Sequence, residues 1–421
     1  MIIYNLFPLL AGYFSNWQGH IDRAADMGFD WIFVNPVQKP GQSGSLYSIA
    51  DYFQLNPRLV DPKSSLSPED QLRGIIHSAE NRGIEMMVDL VINHCATDSK
   101  LAQEHPEWFI HEGDGRLAHP YCLEDGHKVV WEDLIQFNHR HTSDPEGLYR
   151  FFREIVEYLI GLGFKGFRCD AAYQLPDTLW RCLISETKHY HPEVIFTAET
   201  LGCSPQQAVS TASAGFDYVF NSAKWWNFEG GWLLEQYRQG REIAPSISFP
   251  ESHDTERLLQ ENGGNVNVAK QRYLFTALFS AGVMMPIGFE VGQRKRLHVV
   301  DTHPDHWENT GIDLQDFIRK VNTIKRQHPI FQEEAINNLL HYDNPNILVM
   351  QKKSTKTHQE ALIILNKDTH NRQYFGGMDL QRWVQNGRPL LDISPEYSTG
   401  QPPKPFHYDL NPGQGLVMVT Q

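Results

Sequence analysis

Residues 148–170 read LYRFFREIVEYLIGLGFKGFRCD. Leu148, Phe151, Phe152, Ile155, Val156, Leu159 and Ile160 form an unbroken apolar stripe at period 3.6, which predicts a helix over 148–160. Gly161 and Gly163 end it, and Gly166–Asp170 begins a short apolar strand that stops on a carboxylate. Helix, two-glycine break and buried strand make up the repeating unit of an alternating strand–helix fold.

Working outward, the same unit recurs. Towards the N-terminus, strands are expected at Ile2–Phe7, Trp31–Val34 and Glu85–Ile92. A helix is expected around Trp17–Met27, and another starts from Ser67 as N-cap with Pro68 in its first turn, stopped by Gly83. Towards the C-terminus, strands are expected at Val194–Ala198, Asp217–Phe220, Ser246–Phe249 and Val283–Ile287, with a last helix near Leu314–Gln327. Eight such units are the count of an α/β protein of the (β/α)8 TIM-barrel type. The stretch 95–142 after strand three is long, aperiodic and rich in His, Pro, Gly and Trp, and so reads as a functional insertion. Beyond about Pro329 the helical pattern gives way to the strand-like runs Leu339–Tyr342, Ile347–Lys352, Ala361–Leu365 and Gly415–Thr420. The expected division is a barrel from 1–94 and 143–330, an insertion (domain B) at 95–142, and a C-terminal all-β, sandwich-like domain at 331–421.

Composition narrows the chemistry. The 421 residues carry 51 acidic and 37 basic side chains, a net charge of −14, with 41% hydrophobic and 12% aromatic residues. That balance supplies a core and disfavours nucleic acid or an anionic membrane as partner, since both require basic stripes. A neutral substrate fits it best. No apolar run is long enough to span a bilayer. The apolar N-terminus lacks a basic flank and is interrupted by Asn5 and Pro8, so it reads as a buried first strand rather than a signal peptide. Cys95, Cys122, Cys169, Cys182 and Cys203 have neither even number nor C-x-x-C spacing, which points to reduced thiols and a cytoplasmic setting.

Barrel enzymes place their catalytic groups at the C-terminal ends of strands. Strand three ends in Asp89-Leu-Val-Ile-Asn93-His94, strand four in Arg168-Cys-Asp170, strand five in Ala198-Glu199, and strand seven in Glu251-Ser-His253-Asp254. A single Asp after a strand is commonly a turn or cap residue. Carboxylates at one end of four barrel strands form a constellation.

These segments resemble the four signature regions of glycoside hydrolase family 13, the α-amylase family, in the family's order. D-x-x-x-N-H matches Asp89–His94, G-F-R-x-D matches Gly166–Asp170, the acid-bearing A-E pair matches Ala198–Glu199, and H-D matches His253–Asp254. Leu46–Tyr52 is similar to the family's loop after strand two, whose aromatic, here Tyr47, stacks on the reacting sugar. The resemblance implies Asp170 as nucleophile, Glu199 as acid/base and Asp254 as stabiliser of the oxocarbenium-like transition state. It further implies sugar contacts from His94, His253, Tyr47 and Arg168, with Asp89 largely structural. Elementary chemistry agrees, since retaining glycosidases need one ionised and one protonated carboxyl group in close proximity. Arg168 and Asp170, two apart, share a strand face.

No cofactor is required for this chemistry, although the resemblance implies a structural Ca2+ beneath the insertion with Asn93 as one ligand. A catalytic metal is disfavoured, because His139-Arg-His141 and His189-Tyr-His191 fall outside the predicted strand ends. The expected substrate is a neutral oligo- or polysaccharide with α-glucosidic bonds, and the expected activity is retaining hydrolysis. Transglycosylation with the same residues is the alternative. Family relatives that only bind carbohydrate lose the catalytic carboxylates, whereas this chain keeps all three. The run Asp170-Ala-Ala-Tyr173-Gln174 lacks the Lys-His pair of many α-amylases, and no module precedes strand one as in branching and debranching enzymes. Trp131–Asn138 resembles a stretch of the family's maltosyltransferases, without their accessory domains. Trp225, Trp226, Trp232 and Trp307 follow strands six and eight and are candidates for stacking on further glucose units.

Overall fold

The computed structural model describes residues 1–124 and 127–421; Asp125 and Gly126 in the insertion lie outside the described residues, as do the side chains of 122–124, including the Cys122 thiol. Eight parallel strands close into a barrel in chain order. They are β1 (Ile2–Leu6), β2 (Trp31–Val34), β3 (Glu85–Leu90), β4 (Gly166–Cys169), β5 (Ile195–Ala198), β6 (Tyr218–Phe220), β7 (Ser246–Ser248) and β8 (Gly282–Pro286). The main helices that follow them in turn are α1 (Gln18–Asp26), α2 (Pro68–Asn81), α3 (Pro145–Gly161), α4 (Asp177–Tyr190), α5 (Pro205–Ala212), α6 (Trp232–Gly240), α7 (Val266–Phe279) and α8 (Gln315–Gln327).

Local chemistry explains the helix boundaries. Ser67 Oγ accepts the Asp70 N–H at 3.1 Å to start α2, and Gly83, at φ +74°, takes the left-handed turn that ends it. Asp144 caps α3 by accepting the Gly147 N–H at 3.0 Å, with Pro145 in the first turn. The stripe on α3 packs inward: Leu148, Phe152, Ile155, Val156 and Leu159 are buried. Each such side chain contributes about 1.5–3 kcal/mol of apolar burial.

Alternation along the strands sorts side chains between two cores. Ile2, Tyr4, Leu6, Ile32, Val34, Met86 and Val88 face the helices, while Ile3, Phe33, Met87, Phe220, Ile247, Phe249 and Met284 fill the barrel. Gly166 opens β4 because a Cβ there would meet Trp31 and Met87 side chains and the Ile195 carbonyl at 3.1–3.2 Å. The strand register puts Arg168 level with Asp89 on one side and Thr197 on the other. Asp170 and Glu199 therefore leave neighbouring strands in step.

The insertion has more structure than its composition suggests. His94–Ala96 pairs antiparallel with Leu134–Gln136, closing its two ends together, and Tyr121–Glu124 pairs with His127–Val130. A hairpin absent from the sequence reading, Gln38–Pro40 with Ile49–Leu55, follows β2.

The C-terminal region is all β. Strands β9 (Ile336–Leu340), β10 (Ile347–Lys353), β11 (Glu360–Asn366), β13 (Leu390–Asp392) and β15 (Gly415–Thr420) form one sheet, in the order 9-10-11-15-13. Strands β12 (Gln373–Gly377) and β14 (Phe406–Leu410) form a second, two-stranded layer. Leu348, Met350, Ile363, Leu365 and Val417 pack on the barrel, whereas Ile347, Val349, Leu362, Ile364 and Leu416 pack under Phe375 and Phe406. The first tail strand lies at Ile336–Leu340, upstream of the expected Leu339–Tyr342, because Tyr342 leaves the ladder to pack edge-on to Phe375.

Helix α7 is sandwiched between barrel and sheet and is buried on nearly every side. Its C-terminal carbonyls are satisfied by two buried ammonium groups. Lys325 Nζ donates to the carbonyls of Ala277, Ser280 and Phe331 at 2.6–2.8 Å, and Lys352 Nζ donates to that of Phe279 at 2.7 Å.

Candidate active site

A polar layer lies on top of the apolar barrel plug. It begins with two asparagines at the ends of β1 and β2 that the sequence reading passed over. Asn5 Nδ2 donates to the Phe33 carbonyl and to Asn35 Oδ1, and Asn35 Nδ2 donates to the Tyr47 hydroxyl at 2.9 Å. The Tyr47 hydroxyl in turn donates to Asp89 Oδ2 at 2.6 Å and lies 2.8 Å from His253 Nε2. One hydroxyl proton is thus spent on Asp89, so His253 Nε2 must carry the proton towards Tyr47. The same Nε2 is 3.0 Å from Asp254 Oδ2, and the Tyr47 and His253 rings lie parallel, 5.8 Å apart. The second nitrogen of His253, and both of the buried His94, have no hydrogen-bond partner among the described residues. All three nitrogens are buried.

Arg168 is the hub. Its Nη1 contacts Asp89 Oδ1 at 2.9 Å and Asp170 Oδ1 at 2.6 Å. Asp89 is fully buried and reaches the mouth only through Arg168 and Tyr47, so the structure places it behind the substrate surface. Burial pushes its carboxyl up to about 6, with Arg168 opposing. Asp170 faces the mouth, its side chain 16% exposed.

Glu199 approaches from the next strand. Its Oε2 accepts the Ala171 N–H and its Oε1 accepts the Leu201 N–H, both at 2.9 Å. Ala171, directly after Asp170, holds φ at +43°, in the left-handed region. That conformation costs a non-glycine residue about 1–2 kcal/mol and aims its amide at Glu199. Burial pushes the Glu199 carboxyl up to about 7; Asp170 and Asp254 add to the rise, and Arg168 opposes it. Asp254 stands more exposed at the rim. The walls of the mouth disfavour charge there, but the adjacent His253 and the Arg168 and Arg296 guanidinium groups outweigh them and hold Asp254 at about 2.

The loop carrying His253 and Asp254 is clamped at both ends. Glu251 pairs with Arg257 at 2.7 Å and also accepts the Leu258 N–H, while Arg257 Nη2 donates to the Ile287 carbonyl. Arg168, Asp170, Glu199, His253 and Asp254 thus share one mouth, with Asp89 behind it and Glu251 clamping its loop, while Asn93 is bonded instead to Gln174. Asn5, Asn35, Ala171 and the Glu251–Arg257 pair complete the mouth.

The family model described as "Glycogen debranching enzyme, glucanotransferase domain" matches residues 1–111. The alpha-1,4-glucan:maltose-1-phosphate maltosyltransferase of Mycobacterium tuberculosis is 25% identical over 409 residues, covering 89% of this chain and 55% of that protein. Its namesake from Burkholderia pseudomallei is 24% identical, covering 85% of this chain and 32% of that protein. The alpha-amylase of Geobacillus thermoleovorans, solved with acarbose, superposes at a TM-score of 0.79, with 15% identity and 100% and 98% of the two chains covered. The chain has the fold of the solved α-amylases and is similar along most of its length to maltosyltransferases. It spans about half the length of most of the curated relatives it matches.

The resemblance to the α-amylase family implies Ca2+ at Asn93. Asn93 Oδ1 is buried without a partner, but its Nδ2 is bound to Gln174 Oε1 at 2.9 Å. Among the described residues there is no cluster of three or more His, Cys, Asp or Glu that could hold a metal. Ca2+ takes six to eight oxygens, usually with carboxylates among them. A pair of neutral amides does not fit it. Two of the four tryptophans are also internal or engaged: Trp226 is fully buried, and Trp307 packs under the Arg23 guanidinium.

Proposed function

We propose that this chain is an α-amylase-family enzyme that cleaves α-glucosidic bonds of neutral α-glucans with retention of anomeric configuration, through a glycosyl ester on Asp170. The observation that carries the reading is the difference between two neighbouring carboxyl groups. Asp170 has the Arg168 guanidinium at 2.6 Å as counter-ion, while Glu199 is raised to about 7 and can hold a proton near neutrality. In the first step the Asp170 carboxylate forms a bond to the anomeric carbon. The glycosidic C–O bond breaks, and its oxygen leaves with the proton of Glu199. Asp254, held anionic, faces the positive charge that develops on the sugar ring. His253, whose Nε2 lies beside Asp254, and His94 are assigned to contacts with its hydroxyls. In the second step Glu199 takes the proton of the incoming hydroxyl, whose oxygen bonds to the anomeric carbon as the ester to Asp170 breaks.

Water as the incoming group makes the chain a hydrolase, and a sugar hydroxyl makes it a transglycosylase. The similarity to maltosyltransferases and to a glucanotransferase domain favours the sugar acceptor. In the same proposal residues 1–94 and 143–330 form the catalytic unit, 95–142 covers it, and 331–421 is the accessory all-β unit. The free thiols of Cys95, Cys169, Cys182 and Cys203 support a reducing, cytoplasmic setting. Product analysis on maltooligosaccharides, with maltose 1-phosphate as a second donor, tests the proposal. Products of retained α-configuration by proton NMR are expected, as is loss of turnover in Asp170→Asn. An inverted product, or normal turnover in Asp170→Asn, overturns it.

A further inference from the structure

Trp225 and Trp226 are adjacent in sequence and opposite in environment. Trp226 is fully buried, packs on Phe228 and Phe275, and donates its indole N–H to the Glu229 carbonyl. Trp225 closes a 3-10 turn (Ala223–Trp225) directly after β6, its N–H bound to the Ser222 carbonyl at 3.1 Å, and is 51% exposed. The neighbouring Lys224 is tied back to Glu261 at 2.9 Å. A short turn anchored by one buried tryptophan thus presents the other to solvent at the C-terminal mouth of the barrel.

Trp225 is not isolated from the chemistry. Its ring meets Phe249 edge to face, with centroids 5.9 Å apart and planes at 88°. Phe249 packs on Phe220 in the barrel plug, and Leu201 lies against the same cluster. Leu201 is also the residue whose N–H binds Glu199 Oε1. Leu201, Phe220, Phe249 and Trp225 are therefore linked by apolar contacts, from the buried residues beside Glu199 out to the exposed Trp225. Around the rim the order is Asp170 after β4, Glu199 after β5, Trp225 after β6 and Asp254 after β7. Tyr47, stacked on His253, belongs to the part of the mouth where the reacting ring would sit. The acid/base must contact the oxygen that joins the reacting ring to the leaving group, so the leaving group lies on the Glu199 side. Trp225 is next in that direction.

From this position on the rim and this anchorage we infer that Trp225 is a stacking platform for a glucose unit on the leaving-group side, which is also where an incoming sugar acceptor must bind. Such a ring has an apolar face of C–H groups and a polar edge of hydroxyls, and it suits an indole held on one side by Phe249 and half-exposed on the rest. The inference rests on the proposed reaction and deepens it: the platform would favour a sugar over water as the second-step nucleophile by holding it beside Glu199.

Two readouts separate failure of the platform from failure of the chemistry. With α-maltosyl fluoride as donor and maltotriose as acceptor, Trp225→Ala is expected to raise the acceptor KM about three- to tenfold more than the donor KM. Trp225→Tyr, which keeps a ring, is expected to recover most of the loss. Tyr190→Ala, which removes an exposed aromatic at the far end of α4, serves as the control and is expected to behave as wild type. Equal effects on both KM values overturn the platform. Should the wild-type protein release no fluoride, the proposed reaction fails. Calorimetry of maltotetraose binding still decides the platform, with weaker binding by Trp225→Ala expected and unchanged affinity overturning it.

Discussion

The sharpest test of the site concerns the proton on Glu199. Its carboxyl is displaced from 4.5 to about 7, first by burial and then by the charges of Asp170 and Asp254, against the pull of Arg168 and of the Leu201 N–H. At pH 6 a group titrating near 7 is about nine-tenths protonated, whereas an ordinary glutamic acid near 4.5 would be about 3% protonated. The environment therefore multiplies the available acid about thirtyfold. With a sugar leaving group, kcat/KM is expected to fall about tenfold between pH 6 and pH 8, and about tenfold again by pH 9. Glu199→Gln removes the acid, so the loss on maltooligosaccharides should be about 10²–10⁴-fold and the alkaline limb should disappear. Fluoride needs no proton to leave, so α-maltosyl fluoride should still be consumed in the first step. The assay is a stopped pH series with each donor for wild type and variant. An alkaline limb that persists unchanged in Glu199→Gln, or a wild-type limb below pH 5, would refute the reasoning.

Other groups make separate predictions. Arg168→Met leaves Asp89 and Asp170 as facing buried carboxylates, and urea unfolding should show a loss of ~3–5 kcal/mol, part of it recovered in Arg168→Met/Asp89→Asn. In the wild type, Asp89 titrates near 6 when folded and near 4 when unfolded, so the native state holds the extra proton in that window. Stability should accordingly fall by roughly 3 kcal/mol from this group as pH rises from about 4 to 6, and Asp89→Asn should flatten the slope. Lys325→Met strips three carbonyl partners from the end of α7 and its surroundings, and should cost about 3 kcal/mol in the same unfolding assay.

The fold was legible wherever one face of an element is dry and the other wet. The α3 stripe and the strand Trp31–Val34 are such cases, and the structure reproduces them within a few residues. Legibility weakened where that contrast vanishes. Helix α7 was expected as a helical pattern between strands seven and eight but not bounded, because it is buried between barrel and sheet and has no polar face to mark its period. Strands β12 and β14 cover the outer layer with half-exposed residues such as Tyr374 and His407, so neither alternation nor a continuous apolar run announces them. The insertion looked aperiodic because its ladders are three or four residues long, shorter than any period can show.

At the site the difference lies between residues that act through their side chains and residues that act through geometry. Asp89, Arg168, Asp170, Glu199, His253 and Asp254 could be read from their types at strand ends, and they converge on one mouth. Asn5 and Asn35 obey the same rule, since they too are polar residues at the ends of strands, but a neutral amide does not suggest chemistry until the hydroxyl it orients is seen. Ala171 could not be read at all. Its contribution is a backbone N–H directed at Glu199 by a positive φ, and an alanine in sequence carries no sign of either. That amide and the Leu201 N–H favour the charged form of Glu199, and burial overrides them. The acid strength at the centre of the proposed mechanism is thus a balance between backbone geometry and desolvation. Both terms depend on the folded barrel and neither on the identity of the residue that supplies the proton.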